Sequence, residues 1–109
     1  MRRGDVVTVA APGDYGKPRP AVIVQTDAFP DTHASVVICQ MTSDLSAAPD
    51  FRITVDPSVA TGLRTRSQVM ADKPVTVRRE RIRETIGRLG AADIGRLNVA
   101  LAFVMGLAD

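Results

Sequence analysis

Lys17-Pro18-Arg19-Pro20 sets one guanidinium between two prolines, immediately before the apolar run Ala21-Val22-Ile23-Val24. Each proline fixes its own φ and drives the residue before it toward extended backbone, so Arg19 is offered from a stiff strand mouth. A planar fork of donors held in that way suits an anionic ligand. A second polar cluster, Met41-Thr42-Ser43-Asp44, follows the apolar run Val36-Val37-Ile38-Cys39 in the same manner. A guanidinium and a hydroxyl at the edges of two buried strands are the raw material of an anion site. The plainer readings are that Arg19 caps a strand edge and that the Thr42 and Ser43 hydroxyls bond the local backbone, as they do in turns.

Other chemistry is sparse. Cys39 is the lone cysteine and lies in an apolar run, so it reads as a buried, inert thiol. His33 is the lone histidine, in the polar stretch Asp31-Thr32-His33-Ala34-Ser35. It could serve as a base, although a solvated loop histidine is the simpler reading. Structural zinc would need four such ligands, so no metal or other cofactor is expected. Tyr15 and Phe29 could stack on bases, but aromatics make up 4% of the chain, too few for an extended stacking platform. Phe51 and Phe103 read as core.

A chain of 109 residues favours one compact domain, here 1–109, that buries a core without disulfides. Hydrophobic residues at 45% and charged residues at 24% mark it as globular. The longest apolar runs, 20–24 and 36–39, fall far short of the roughly 18 residues a membrane span needs. Met1-Arg2-Arg3 leads into Gly4-Asp5 rather than an apolar segment, so no secretory signal is expected and the cytoplasm is the default location. Net charge is +2, but residues 63–88 alone carry eight Lys/Arg against three Asp/Glu. Arg64, Arg66, Lys73, Arg78, Arg79, Arg81, Arg83 and Arg88 therefore form either a patch for phosphate backbones or a set of solvated strand and turn faces.

The elements that must position these residues are short. Strands are expected over 3–10, 21–25, 35–40, 51–55, 67–71, 74–77 and 82–89, with Asp72-Lys73 as a break and 78–81 as a turn or one helical turn. Residues 21–25 and 35–40 are apolar on both faces, hence buried. Many short strands between turn signals indicate a small barrel or sandwich. Ile94, Leu97, Leu101 and Val104 recur at helical spacing, giving a C-terminal helix over about 91–105. Gly90 is its N-cap, Asp93 sits in its first turn, and Gly106 ends it. The helix carries more apolar surface than one small barrel would bury, which points to a second subunit.

Taken in order, Arg3-Gly4-Asp5-Val6-Val7, Gly16-Lys17-Pro18-Arg19-Pro20-Ala21-Val22-Ile23-Val24-Gln25, Gln40-Met41-Thr42-Ser43 and Asp72-Lys73-Pro74-Val75-Thr76-Val77 resemble the MazF/PemK toxins of type II toxin–antitoxin modules. The resemblance spans nearly the whole chain. It implies a mainly β fold with α, an SH3-like small β-barrel of the MazF/CcdB/Kid type with a C-terminal helix, acting as a homodimer. It also implies a metal-independent endoribonuclease that cuts single-stranded mRNA at short sequences, blocked by a cognate antitoxin with an acidic disordered tail. The family's catalytic arginine and threonine fall on Arg19 and Thr42. Lys17, Ser43 and Lys73, with Tyr15 in the preceding loop, fall on the substrate groove, and Asp72 is the candidate acid or base ahead of His33. Where some relatives carry an arginine two residues before that aspartate, this chain has Met70, so that role is either missing or taken by Lys73 or Arg66. The loop before Arg19 is also shorter than in many relatives and lacks the histidine some carry. The resemblance leaves two alternatives: a gyrase poison like the CcdB branch, against which the aromatic-free tail argues, and a relative that binds antitoxin without cutting RNA.

Overall fold

In the computed structural model, residues 1–10 and 17–107 are described. The elements run β1 (Asp5–Val9), β2 (Arg19–Ile23), β3 (Ser35–Thr42), β4 (Arg52–Val55), β5 (Ser67–Arg78), a 3-10 turn (Arg79–Arg81), β6 (Ile82–Arg88) and α1 (Ala91–Val104). The strands form one sheet in the order β4-β5-β3-β2-β1-β6, every neighbouring pair antiparallel. The sheet is barrel-like but not closed, with β4 and β6 as its edges. Among the described residues no helix is long and apolar enough to cross a membrane.

Side chains alternate between the two faces of a strand, and here both faces are buried. Val7, Val9, Ala21, Ile23, Val36 and Ile38 form one cluster. Val6, Val22, Cys39 and Met41 point the other way, into a second cluster with Ile53, Val55, Val69, Leu97 and Ala100. Burial on both faces is why β2 and β3 read as unbroken apolar runs. The helix lies over β4 and β5. It ends at a Schellman motif: the Gly106 N–H donates to Phe103 O at 3.2 Å and the Leu107 N–H to Ala102 O at 2.8 Å, with Gly106 at φ +72°.

The structure moves the expected strand bounds by a few residues, so that β2 begins at Arg19 and β3 runs to Thr42, and it corrects the strand map outright at one place. Residues 67–71 and 74–77 are not two strands but one, β5, with Asp72-Lys73 inside it. Cys39 pairs with Pro74 and Met41 with Val69, so two steps along β3 match five along β5. Met70 to Lys73 thus form an extended bulge against Gln40. Pro74 is tolerated because β4 pairs only with Ser67–Met70, which leaves β5 single-sided from the bulge onward.

Loop 56–66 is locked to β6. Gly62 has φ +73°, and a Cβ there would lie 2.0 Å from the Ile86 carbonyl oxygen, so only glycine fits. The Arg88 N–H donates to Ala60 O at 2.9 Å beside it.

Candidate active site

Arg19 opens β2 and Thr42 closes β3. Ala21 pairs with Gln40, Val22 with Cys39 and Ile23 with Ile38. Carried two pairs further, the same register sets Arg19 opposite Thr42. Opposed residues of an antiparallel pair share a face, their Cα atoms about 4.5–5.5 Å apart. Arg19 is exposed and Thr42 half-buried, at the solvent end of the face that buries Ala21 and Ile38. The polar row continues across the sheet, since Thr42 pairs with Gln68 and Gln68 with Thr54.

The Thr42 hydroxyl oxygen accepts the Asp44 N–H at 3.0 Å, the local turn bond expected of a hydroxyl in this setting. That bond uses an acceptor position only, so the hydroxyl proton stays available to a ligand. Beyond it, the exposed Ser43 begins a loop that Gln68 clamps. The Ser46 N–H donates to Gln68 Oε1 at 2.9 Å, and Gln68 Nε2 donates to Ser46 O at 2.9 Å and to Thr54 Oγ1 at 3.2 Å.

Asp72 and the exposed Lys73 sit in the β5 bulge, on the strand next to Thr42. Asp72 is held by Arg52, whose Nε donates to Oδ1 at 3.0 Å and whose Nη2 donates to Oδ2 at 3.4 Å. Partial desolvation alone would raise the Asp72 pKa. The Arg52 hydrogen bond and charge, with its own backbone and Lys73, outweigh that and hold it below the usual carboxylate value. The carboxylate is therefore a weak base. Arg52 lies opposite Met70 and was not singled out from sequence, because nothing in Phe51–Val55 reveals which strand it pairs with.

Several other expected participants lie elsewhere. His33 precedes the start of β3 whereas Thr42 ends it, and seven steps of strand span roughly 24 Å. It stacks on Phe29 with ring centroids 4.7 Å apart, and its carbonyl accepts Arg79 Nε at 2.8 Å. Both rings are thus at the wrong end of the sheet to serve Arg19 and Thr42. Arg66 pairs with Asp56 at 3.2 Å in solvent. The basic residues do not gather into one patch: Arg88 bridges to Asp5 and Arg3 O, Arg81 bonds Ala10 O, and Arg78 lies opposite Ser35 at the far end. Lys17 is exposed two residues before Arg19, while Tyr15 lies outside the described residues. Burial, partly offset by the Arg3 charge and reinforced by the Asp72 carboxylate, pushes the Cys39 thiol up to about 11, which leaves it unreactive. Among the described residues no three His, Cys, Asp or Glu side chains gather closely enough to hold a metal ion.

Residues 2–105 match the model of the PemK-like, MazF-like toxin of type II toxin–antitoxin systems. The chain belongs to this family. It is 46% identical over 109 residues to the probable endoribonuclease MazF of Mycolicibacterium smegmatis, covering 99% of each chain. It is 27% identical over 116 residues to endoribonuclease MazF9 of Mycobacterium tuberculosis, covering 98% of each. Among solved structures it resembles a mycobacterial endoribonuclease in complex with its cognate antitoxin, with a TM-score of 0.84 at 24% identity, covering 100% of this chain and 98% of that one. It also resembles the M. tuberculosis toxin MazF-mt6, with a TM-score of 0.80 at 20% identity and coverage of 94% and 96%. These likenesses bear out the fold expected of a MazF/PemK toxin, a mainly antiparallel barrel-like sheet with one C-terminal helix.

Proposed function

We propose that this MazF-family endoribonuclease cuts single-stranded mRNA at short specific sequences, without a metal, through a site built on Arg19 and Thr42. The 2′-oxygen of the RNA forms a bond to the adjacent phosphorus and the bond from phosphorus to the 5′-oxygen breaks. The products are a 2′,3′-cyclic phosphate and a 5′-hydroxyl; the 2′-hydroxyl loses a proton and the leaving oxygen gains one. Negative charge grows on the phosphate oxygens in the transition state, so fixed donors aimed there lower the barrier. The Arg19 guanidinium supplies a fork of N–H donors, and the Thr42 hydroxyl supplies one more. Lys17, Ser43 and Lys73 flank the strand path. A carboxylate with a lowered pKa takes up protons poorly, so the reaction leans on charge stabilisation rather than on Asp72 as base.

The observation that supports this reading is the β2–β3 register, paired from Ile23–Ile38 to Ala21–Gln40, which carried two residues further brings Arg19 opposite Thr42 at the solvent end of one face. The chain acts as a single toxin domain, 1–109, in the cytoplasm where its RNA lies. A cognate antitoxin with an acidic disordered tail covers the groove in this reading; the mycobacterial neighbour is itself in complex with its cognate antitoxin. A homodimer covers the apolar side of α1, where Val99 is 71% and Phe103 52% exposed along a groove of about 660 Å³ that also includes Pro49 and Ile53.

The test is incubation of the purified chain with a long single-stranded RNA in EDTA, beside Arg19→Ala. Cleavage that survives EDTA, ends in cyclic phosphate and is lost in the variant is the expected result. Cleavage that needs added metal, or that Arg19→Ala retains in full, contradicts the reading.

A further inference from the structure

Arg52 is the most sequestered arginine among the ion pairs of the described residues, its side chain 13% exposed. It also joins two segments that flank Thr42. Its backbone N–H donates to Ala48 O at 2.8 Å, inside the loop that follows Thr42. Its guanidinium grips Asp72 in the bulge through two donors. The Ala71 N–H donates to Phe51 O at 3.1 Å beside it, so the bulge is tied to β4 by backbone and side chain together.

That bulge interrupts the β3–β5 ladder opposite Gln40, two residues before Thr42 on the same face. Bulges bend a strand and re-aim its side chains, and they need fixing because the ladder does not hold them. A bidentate arginine–carboxylate pair fixes both distance and plane, which a single contact does not.

We propose that Arg52 is a positioning residue for RNA cleavage, its ion pair with Asp72 holding the β5 bulge and Lys73 in register with Arg19 and Thr42. Asp72 then serves as the anchor of that pair rather than as the proton acceptor. The proposal rests on the ribonuclease reading above and deepens it.

Two variants of the full chain test it, with kcat, KM and melting temperature measured on one defined RNA. Arg52→Met keeps much of the stem and removes the fork. It is expected to lower kcat about 10- to 100-fold with KM changed less than about threefold, since a displacement near 1 Å can cost about a hundredfold. Asp72→Asn keeps an oxygen to accept from Arg52 Nε but cannot act as a base. It is expected to lose less than about tenfold in kcat, where removing a general base costs about 10²- to 10⁴-fold. A wild-type chain that cuts no RNA overturns the ribonuclease reading and this one with it. With an active wild type, Arg52→Met at full kcat overturns this inference alone. So does Asp72→Asn losing more than about a hundredfold at an unchanged melting temperature.

Discussion

Replacing Gln68 with methionine removes the clamp on the loop after Thr42 while roughly keeping side-chain length. Gln68 is 4% exposed and makes three hydrogen bonds, two to the Ser46 backbone and one to the Thr54 hydroxyl. Each such bond contributes about 0.5–1.5 kcal/mol net. Ser46 is exposed, so its backbone groups recover partners from water once released. Thr54 is half-buried and recovers less. The expected loss is about 2–3 kcal/mol, which for a domain near this size lowers the melting temperature by roughly 10 °C or more. The freed loop begins one residue after Thr42, so kcat on RNA is expected to fall about 10- to 100-fold even well below the melting point. Melting at fixed protein concentration, followed by single-turnover cleavage, reads both effects. A melting temperature within about 2 °C of wild type would refute the energetic reasoning. A lowered melting temperature with unchanged cleavage would refute the link between loop and site.

The remaining predictions concern the frame, the ion pair and the proposed homodimer. Gly62→Ala puts a Cβ 2.0 Å from Ile86 O at a φ of +73°, so it should cost about 3 kcal/mol or more and appear as a large fall in melting temperature. The Asp72 pKa is lowered on folding, so the folded state binds fewer protons than the unfolded chain. The Arg52–Asp72 contribution is therefore complete above the ordinary carboxylate value of 3.8 and lost as pH falls through the lower folded value. Arg52→Met should melt below wild type by roughly 4–8 °C at pH 7, about 1 kcal/mol, with the gap closing only below about pH 4. A gap that closes nearer neutral pH would assign the effect to another group. Sedimentation should show a dimer for wild type and a monomer for Val99→Glu/Phe103→Glu; a variant that stays dimeric moves the interface off the exposed side of α1.

Much of this architecture was legible in the sequence. The helix was readable from its periodicity and from Gly90 and Gly106, since helix ends are written locally. β2 and β3 were readable as doubly buried runs. β5 was not, because Asp72-Lys73-Pro74 carries the composition of a break, and only the pairing partners show that the strand passes through it as a bulge. The second strand also begins at Arg19 rather than Ala21, which changes Arg19 from a residue beside a strand into a strand residue with a defined partner. Register is a tertiary property. It pairs Arg52 with Met70 and, carried two residues beyond Ala21–Gln40, brings Arg19 opposite Thr42, and neither alignment follows from the pattern of either strand alone. The resemblance to known toxins named Arg19 and Thr42, whereas Arg52 matches no part of that motif and emerged only from the geometry. His33 was a fair candidate by residue type, and the length of β3 removes it.

The most direct test is a double-mutant cycle on kcat with Arg19→Ala, Thr42→Val and the pair, on one RNA with a single cut site. If both groups act on the same phosphate, each single variant loses at least about a hundredfold and the pair loses little more than the worse single. Losses that multiply in full, or a Thr42→Val chain as active as wild type, would mean that the guanidinium and the hydroxyl do not share one linkage.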